Sequence, residues 1–290
     1  MVERKIEESK KKTDEGRAFL MKQDYRRARQ AFDEAIRLDP QNALAHSGKA
    51  NALFGLEDIE KAVKTIEKAL ELDPNNEEIL DNYGAYLYNL SKFKEALGVA
   101  QRLVDMHPGS ADYLYKLGTV YDAMDEVDNA ADAFNKALAI EPNDLHVLKD
   151  LAEMFEKHKR LEEAIEVFKK ASGVAPDQSY FMDCQGQIYG RLDKYDDALA
   201  AFEAALKINP ADDYAANGRA ATLARIGREE EALAAFDELI KKDPGSAFPW
   251  DGKAFVLKRL GRMEEAKAAQ AEATRIWRAE ESNSPSIFNN

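Results

Sequence analysis

Apolar positions in this chain recur at helical spacing and are cut off by proline at a fixed interval. The prolines at Pro40, Pro74, Pro108, Pro142, Pro176, Pro210 and Pro244 stand 34 residues apart, and only Pro249 and Pro285 fall outside the series. Upstream of each, small and large apolar residues alternate in a constant order. Alanine stands twelve before every one: Ala28, Ala62, Ala96, Ala130, Ala164, Ala198 and Ala232. A large residue usually stands eight before (Phe32, Ile66, Phe134, Phe168, Phe202, Phe236), and a small or apolar one five before (Ala35, Ala69, Leu103, Ala137, Ala171, Ala205, Leu239). These offsets share one face of a 3.6-residue helix, and proline, which lacks an N–H and disfavours the α region for the residue before it, ends that helix.

An earlier stripe in each unit predicts a partner helix. Gly16, Ala50, Gly84, Gly118, Ala152, Gly186 and Ala220 stand 24 before the prolines, and Phe19, Leu53, Leu87, Tyr121, Phe155, Tyr189 and Leu223 stand 21 before. Glycine inside a helix costs about 1 kcal/mol relative to alanine, so its recurrence predicts a close approach, expected against the constant alanine of the second helix. Two residues after each proline come Asn42, Asn76, Ser110, Asp144, Gln178, Asp212 and Ser246. Six of these seven are good N-caps and mark the start of the first helix.

A 34-residue period of Gly/Ala, aromatic, Ala, Phe, Ala and Asp-Pro resembles the tetratricopeptide repeat. The resemblance implies an all-α, right-handed α-solenoid of eight stacked helix-turn-helix repeats, near residues 9–42, 43–76, 77–110, 111–144, 145–178, 179–212, 213–246 and 247–280. A single solenoid over 1–281 is expected, followed by a flexible tail at 282–290 (SNSPSIFNN). Two departures stand out. The third repeat exchanges large and small residues (Ala100, Leu103), which predicts a volume-conserving swap. The eighth has Gln270 for the usual Phe and Arg278 for proline, which suits the polar outer face of a terminal repeat.

The resemblance further implies a concave groove lined by the first helices, which predicts a non-enzymatic interaction scaffold binding an extended peptide or a helix. Positions 4, 7, 8, 11, 14 and 15 after each proline form a stripe apart from the packing stripe. Candidate groove residues are Asn51, Glu78, Asp81, Asn82, Asp112, Tyr115, Lys116, Tyr180, Tyr214, Asn217 and Phe248. Tyr180, Tyr214 and Phe248 occupy equivalent positions and predict an aromatic ladder. Arg191, Arg225 and Arg259 also align, near the end of the first helix, where the helix dipole favours a cation. The family's carboxylate clamp is not expected: in its best register (Ser47, Asn51, Asn82, Asp112, Lys116), Ser47 and Asp112 stand where basic side chains are required.

Composition narrows the partner. The net charge is −13, yet residues 1–37 carry 11 Lys/Arg against 8 Asp/Glu, net +3, while residues 38–145 carry 9 against 20, net −11. Groove acids Glu78, Asp81, Asp112 and Asp122 then favour a basic or neutral partner, and nucleic acid is not expected. No phosphate loop, dinucleotide fingerprint or nucleophile elbow occurs, the four histidines lack metal-ligand spacing, and no cofactor is expected. The lone Cys184 excludes an intramolecular disulfide. The charged N-terminus MVERKIEESKKK has no signal-like apolar core and no stretch is long enough to span a membrane, so a cytoplasmic protein is expected. The alternative to peptide capture is self-assembly through the terminal repeats, with Trp250, Trp277 and Ile287–Phe288 supplying apolar contacts.

Overall fold

The computed structural model describes residues 2–283, the side chains of 280–283 excepted. These residues form sixteen α-helices, and the chain divides between Pro142 and Asn143 into two compact units of four helix pairs each. The first unit holds α1 (Val2–Met21), α2 (Tyr25–Leu38), α3 (Ala43–Gly55), α4 (Ile59–Leu72), α5 (Glu77–Asn89), α6 (Phe93–Met106), α7 (Ala111–Ala123) and α8 (Val127–Ile140). The second holds α9 (Leu145–Lys157), α10 (Leu161–Val174), α11 (Ser179–Arg191), α12 (Tyr195–Ile208), α13 (Asp213–Arg225), α14 (Glu229–Lys242), α15 (Ala247–Arg259) and α16 (Met263–Asn283).

Each boundary has a local cause. The residue before every periodic proline has left the helical region, as at Asp39 (φ −139°), Asp73 and His107, so α2, α4 and their equivalents stop two residues short of it. Asn42, Asn76, Ser110, Asp144 and Asp212 each accept a hydrogen bond from a backbone N–H of the first turn. Gln178 and Ser246 do not cap, so one serine that the sequence marks as a cap is not used as one. The turn inside each pair places one residue in the left-handed region, again every 34 residues: Gln23, Glu57, Ser91, Asp125, Lys159, Asp193, Gly227 and Gly261. Only the last two are the residue that adopts it without a Cβ penalty. At the C-terminus Arg278 does not stop α16, which continues to Asn283 and so takes in the first two residues of the expected tail; 284–290, including Ile287–Phe288, lie outside the described residues.

The core confirms the apolar stripe and corrects its partner. All seven alanines twelve before the prolines are buried, as are the residues five before. The recurrent glycines, however, face the phenyl ring of the second helix and not its alanine. A Cβ on Gly16 would stand 2.7 Å from the Phe32 ring, one on Gly118 2.7 Å from Phe134, and one on Gly186 2.8 Å from Phe202. Phe32 and Phe202 also press on the following first helix, at Gly48 and Gly218, and Phe236 does so at Gly252, closer than that. Each such ring is thus seated in a slot that only glycine backbone leaves open.

The exchange in the third repeat does not conserve volume in the expected way. A Cβ on Gly84 would meet only Val99, and this glycine is half-exposed where Gly16, Gly118 and Gly186 are buried. In the last repeat Trp250 donates to the Pro244 carbonyl (3.3 Å), and Trp277 packs edge-on against Phe248 at 6.4 Å. Trp250 thus bonds to the turn before its repeat, and Trp277 packs inside its own. Among the described residues, no helix is long and apolar enough to cross a membrane.

The slot yields a two-sided prediction. Gly118→Ala and Gly48→Ala should each lower stability by about 1–3 kcal/mol, the usual cost of overpacking. Gly98→Ala in α6, where a Cβ meets nothing within 4 Å, should raise it by about 0.5–1 kcal/mol. Urea unfolding followed by circular dichroism measures all three; a stabilised Gly118→Ala would show that the ring does not exclude a methyl group.

Candidate functional site

The odd-numbered helices touch one another as well as their even-numbered partners: α1 with α3 and α3 with α5 in the first unit, α11 with α13 and α13 with α15 in the second. Side chains on this shared face meet between repeats at a spacing of 35, one repeat plus one residue. Asn82 donates to the buried Ser47 hydroxyl (3.3 Å), Tyr86 donates to Asn51, and Lys116 donates to Asp81 (2.6 Å). In the second unit Arg191 donates to Glu156 (2.6 Å) and Arg259 to the Ala224 carbonyl (2.5 Å). Arg191 and Arg259 thus tie their first helices to the one before, whereas Arg225 lies over the Phe255 ring of the next first helix at 5.2 Å.

In the first unit these ties engage most of the candidate groove residues. Asn51 and Asn82 are hydrogen-bonded within the scaffold, and Glu78 receives both its bonds from Arg17 of α1 (2.6 and 2.9 Å), two repeats earlier. Lys116 lies between Asp81 and Asp112 (2.6 and 2.9 Å) and over the Tyr113 ring at 5.4 Å. Burial pulls its ammonium down, but the two carboxylates outweigh that and hold it above the ordinary lysine value. Tyr115 tilts against Phe134 at 5.8 Å. The acidic surplus on this face is accordingly smaller than the sequence suggests, because Arg17 neutralises Glu78 and Lys116 is shared by two aspartates.

The second unit differs. Tyr214 (78% exposed) and Phe248 (61%) flank a cleft of about 550 Å³ between α13 and α15, also lined by Asn217 and Gln187. Tyr180 is not part of it: it lies against Phe168 and Phe181 (6.4 and 5.4 Å), with its hydroxyl donated to Glu153. The expected three-rung ladder is therefore a pair of rings sharing a cleft and a third ring seated on the core. Cys184 is buried, and burial pushes its thiol up to about 12, which removes it as a nucleophile at neutral pH.

Two acceptor oxygens here have no donor. The Asn217 Oδ1 and the Asp183 Oδ1, 34 residues apart at equivalent positions, are both buried without a hydrogen-bond partner. The other Asp183 oxygen accepts from Gln187 (2.6 Å). Of the two, Asn217 lines the cleft, and an orphaned acceptor in a cleft wall can be satisfied by an N–H or ammonium of a ligand. The sequence places Asn217 and Asp183 on the correct stripe but carries no signal that they, unlike Asn51 or Asn82, lack a partner.

The sequence matches tetratricopeptide repeat models at residues 13–77, 84–144 and 185–247, with a second such model at 123–183. No curated protein matches the chain. Among solved structures it is similar to PilW, a widely conserved type IV pilus biogenesis factor (23% identity, TM-score 0.59), over 71% of this chain and 96% of that one. It is also similar to Pseudomonas aeruginosa PilF (20%, TM-score 0.57), over 73% and 96%. A third is YrrB, described as a tetratricopeptide protein with an unusual peptide-binding site (23%, TM-score 0.52), over 64% and 95%. At these identities the likeness concerns the fold.

Asp183 supplies a pH prediction. Burial, less the hydrogen bond from Gln187, raises its carboxyl above the ordinary value, with Asp212 adding to the rise. The folded chain then holds this proton more tightly than the unfolded one, so stability falls as pH rises from about 3.9 through the raised value. Asp183→Asn should raise the melting temperature at pH 7, and the gain should vanish below about pH 4. A gain unchanged across a pH 3–8 series of melts would show that it does not come from this carboxylate.

Proposed function

The chain belongs to the tetratricopeptide repeat family, whose repeats serve as protein–protein interaction scaffolds, and from that premise we propose that its first-helix face binds an extended peptide segment of a partner. The carrying observation is the second-unit cleft, which has two exposed rings and, in its wall, Asn217, whose buried Oδ1 has no donor. Tyrosine and phenylalanine offer large contact area at small entropic cost, which is why such residues dominate binding energetics. Asn217 would accept a hydrogen bond from a backbone N–H of an extended segment, whereas a helix has already used most of its own. An extended chain is therefore the better fit of the two. That YrrB is described as having a peptide-binding site supports the reading by analogy of fold.

In binding, the hairpins stay as they are, since their packing is internal to each repeat and its neighbours. Affinity would then come from the two rings and the Asn217 acceptor with little ordering of the scaffold itself.

Peptides selected by phage display against the intact chain should lose at least tenfold in affinity on Tyr214→Ala/Phe248→Ala, read by isothermal titration, with the melting temperature nearly unchanged. Tenfold corresponds to about 1.4 kcal/mol. Selection without enrichment, or enriched peptides that bind the double variant equally well, would dismiss the reading.

A further inference from the structure

The first unit contains an empty ring seat. In the sister repeats Phe32, Phe134, Phe202 and Phe236 lie against first-helix glycines, but the equivalent position in α6 is Ala100. Leu103 does not refill the space. What remains is a pocket of about 250 Å³ between α5, α6 and α7, floored by Gly84, Ala96, Val99, Ala100, Leu103 and Val120. Its mouth carries Asp81, Asn82, Tyr115 and Lys116, so it opens on the first-helix face.

From this geometry we propose that the pocket takes the aromatic ring of a phenylalanine in a partner peptide, with a basic residue beside it. This rests on the peptide-binding reading and adds a site and a residue type to it. The ring follows from the fold: the missing group in this layer is a phenyl, and the wall that would face it is the half-exposed Gly84. Apolar cavities of about 150 Å³ already hold a benzene ring, so the volume suffices. The basic neighbour follows from the rim, where Asp81 and Asp112 share the single ammonium of Lys116 and leave one negative charge over. Asp112 is the more exposed of the two and offers its carboxylate to a second cation. Lys116 lines the pocket and is held by carboxylates from α5 and α7.

Three blocked peptides test it on the intact chain: acetyl-Gly-Lys-Phe-Lys-Gly-amide, the same with Ala for Phe, and the same with Glu for both Lys. Binding is followed by titration of a 4-fluoro ring in the two Phe peptides by 19F NMR, and by calorimetric competition for the Ala peptide. The Lys-Phe-Lys peptide should bind saturably, at least tenfold tighter than the Ala peptide and at least threefold tighter than the Glu peptide at low salt. Ala100→Phe, which seats the chain's own ring, should weaken it at least tenfold. Should that ring collide with Leu103 and unfold the chain, Ala100→Phe/Leu103→Ala restores the sister repeats' pair and should give the same loss with an intact melting transition. Absence of saturable binding, equal affinity in the folded filled variant, or no preference for Lys over Glu flanks overturns the proposal. So does loss of the peptide on Tyr214→Ala/Phe248→Ala with retention on the filled variant, which would place the ring in the second-unit cleft and leave the broader peptide-binding reading standing.

Discussion

A phenyl ring pressed onto glycine backbone is the contact on which the rest of this structure depends. Phe32 and Phe202 each press on a glycine of their own first helix and on a glycine of the next, while Phe134 and Phe236 each make one of these two contacts. Phe32 or Phe202 alone therefore joins three helices. Because protein interiors are packed like crystals, a contact closer than a methyl group allows fixes the distance between helices and is not merely a preference for apolar partners. The constant alanines, buried beside each ring, complete the layer by letting the helices close around it.

Stacking by rings alone would leave neighbouring first helices free to slide, and the polar ties address that. Pairs such as Asn82–Ser47 and Arg191–Glu156 join residues one repeat and one position apart, so the register of successive first helices is held by hydrogen bonds on the same face that would meet a partner. This has a consequence for binding. Polar residues on that face are mostly committed to the scaffold, and features open to a ligand include the exposed rings at Tyr214 and Phe248, the Asn217 acceptor without a donor, and the unfilled seat at Ala100. Candidates placed on the groove stripe by spacing, among them Asn51, Asn82 and Glu78, are hydrogen-bonded within the scaffold.

Departures from the repeat are read differently once contacts are known. Ala100 with Leu103 looks like a swap of equal volumes, but Leu103 stands about one helical turn further along and lines the pocket at position 100 without filling it. Gly48, Gly218 and Gly252 sit on the groove stripe by spacing, yet each is there to admit the preceding repeat's ring. The sequence does hold a signal for this, since glycine follows Phe32, Phe202 and Phe236 at a constant distance of 16. It is visible only when residues of adjacent repeats are compared.

By itself the sequence determined the helices, their ends and the buried stripe, because these depend on short-range chemistry: proline's missing N–H, caps such as Asn42 and Asp212, and 3.6-residue spacing of alanine and phenylalanine. It also determined the repeat and hence the family. It did not determine which polar residues remain available. Asn82 and Asn217 are the same residue type on the same stripe, and what separates them is whether a donor or acceptor arrives from a helix 35 positions away. That is decided by long-range packing, where a side chain's partner is set by the distance between helices, and that distance is set by the rings on their glycines.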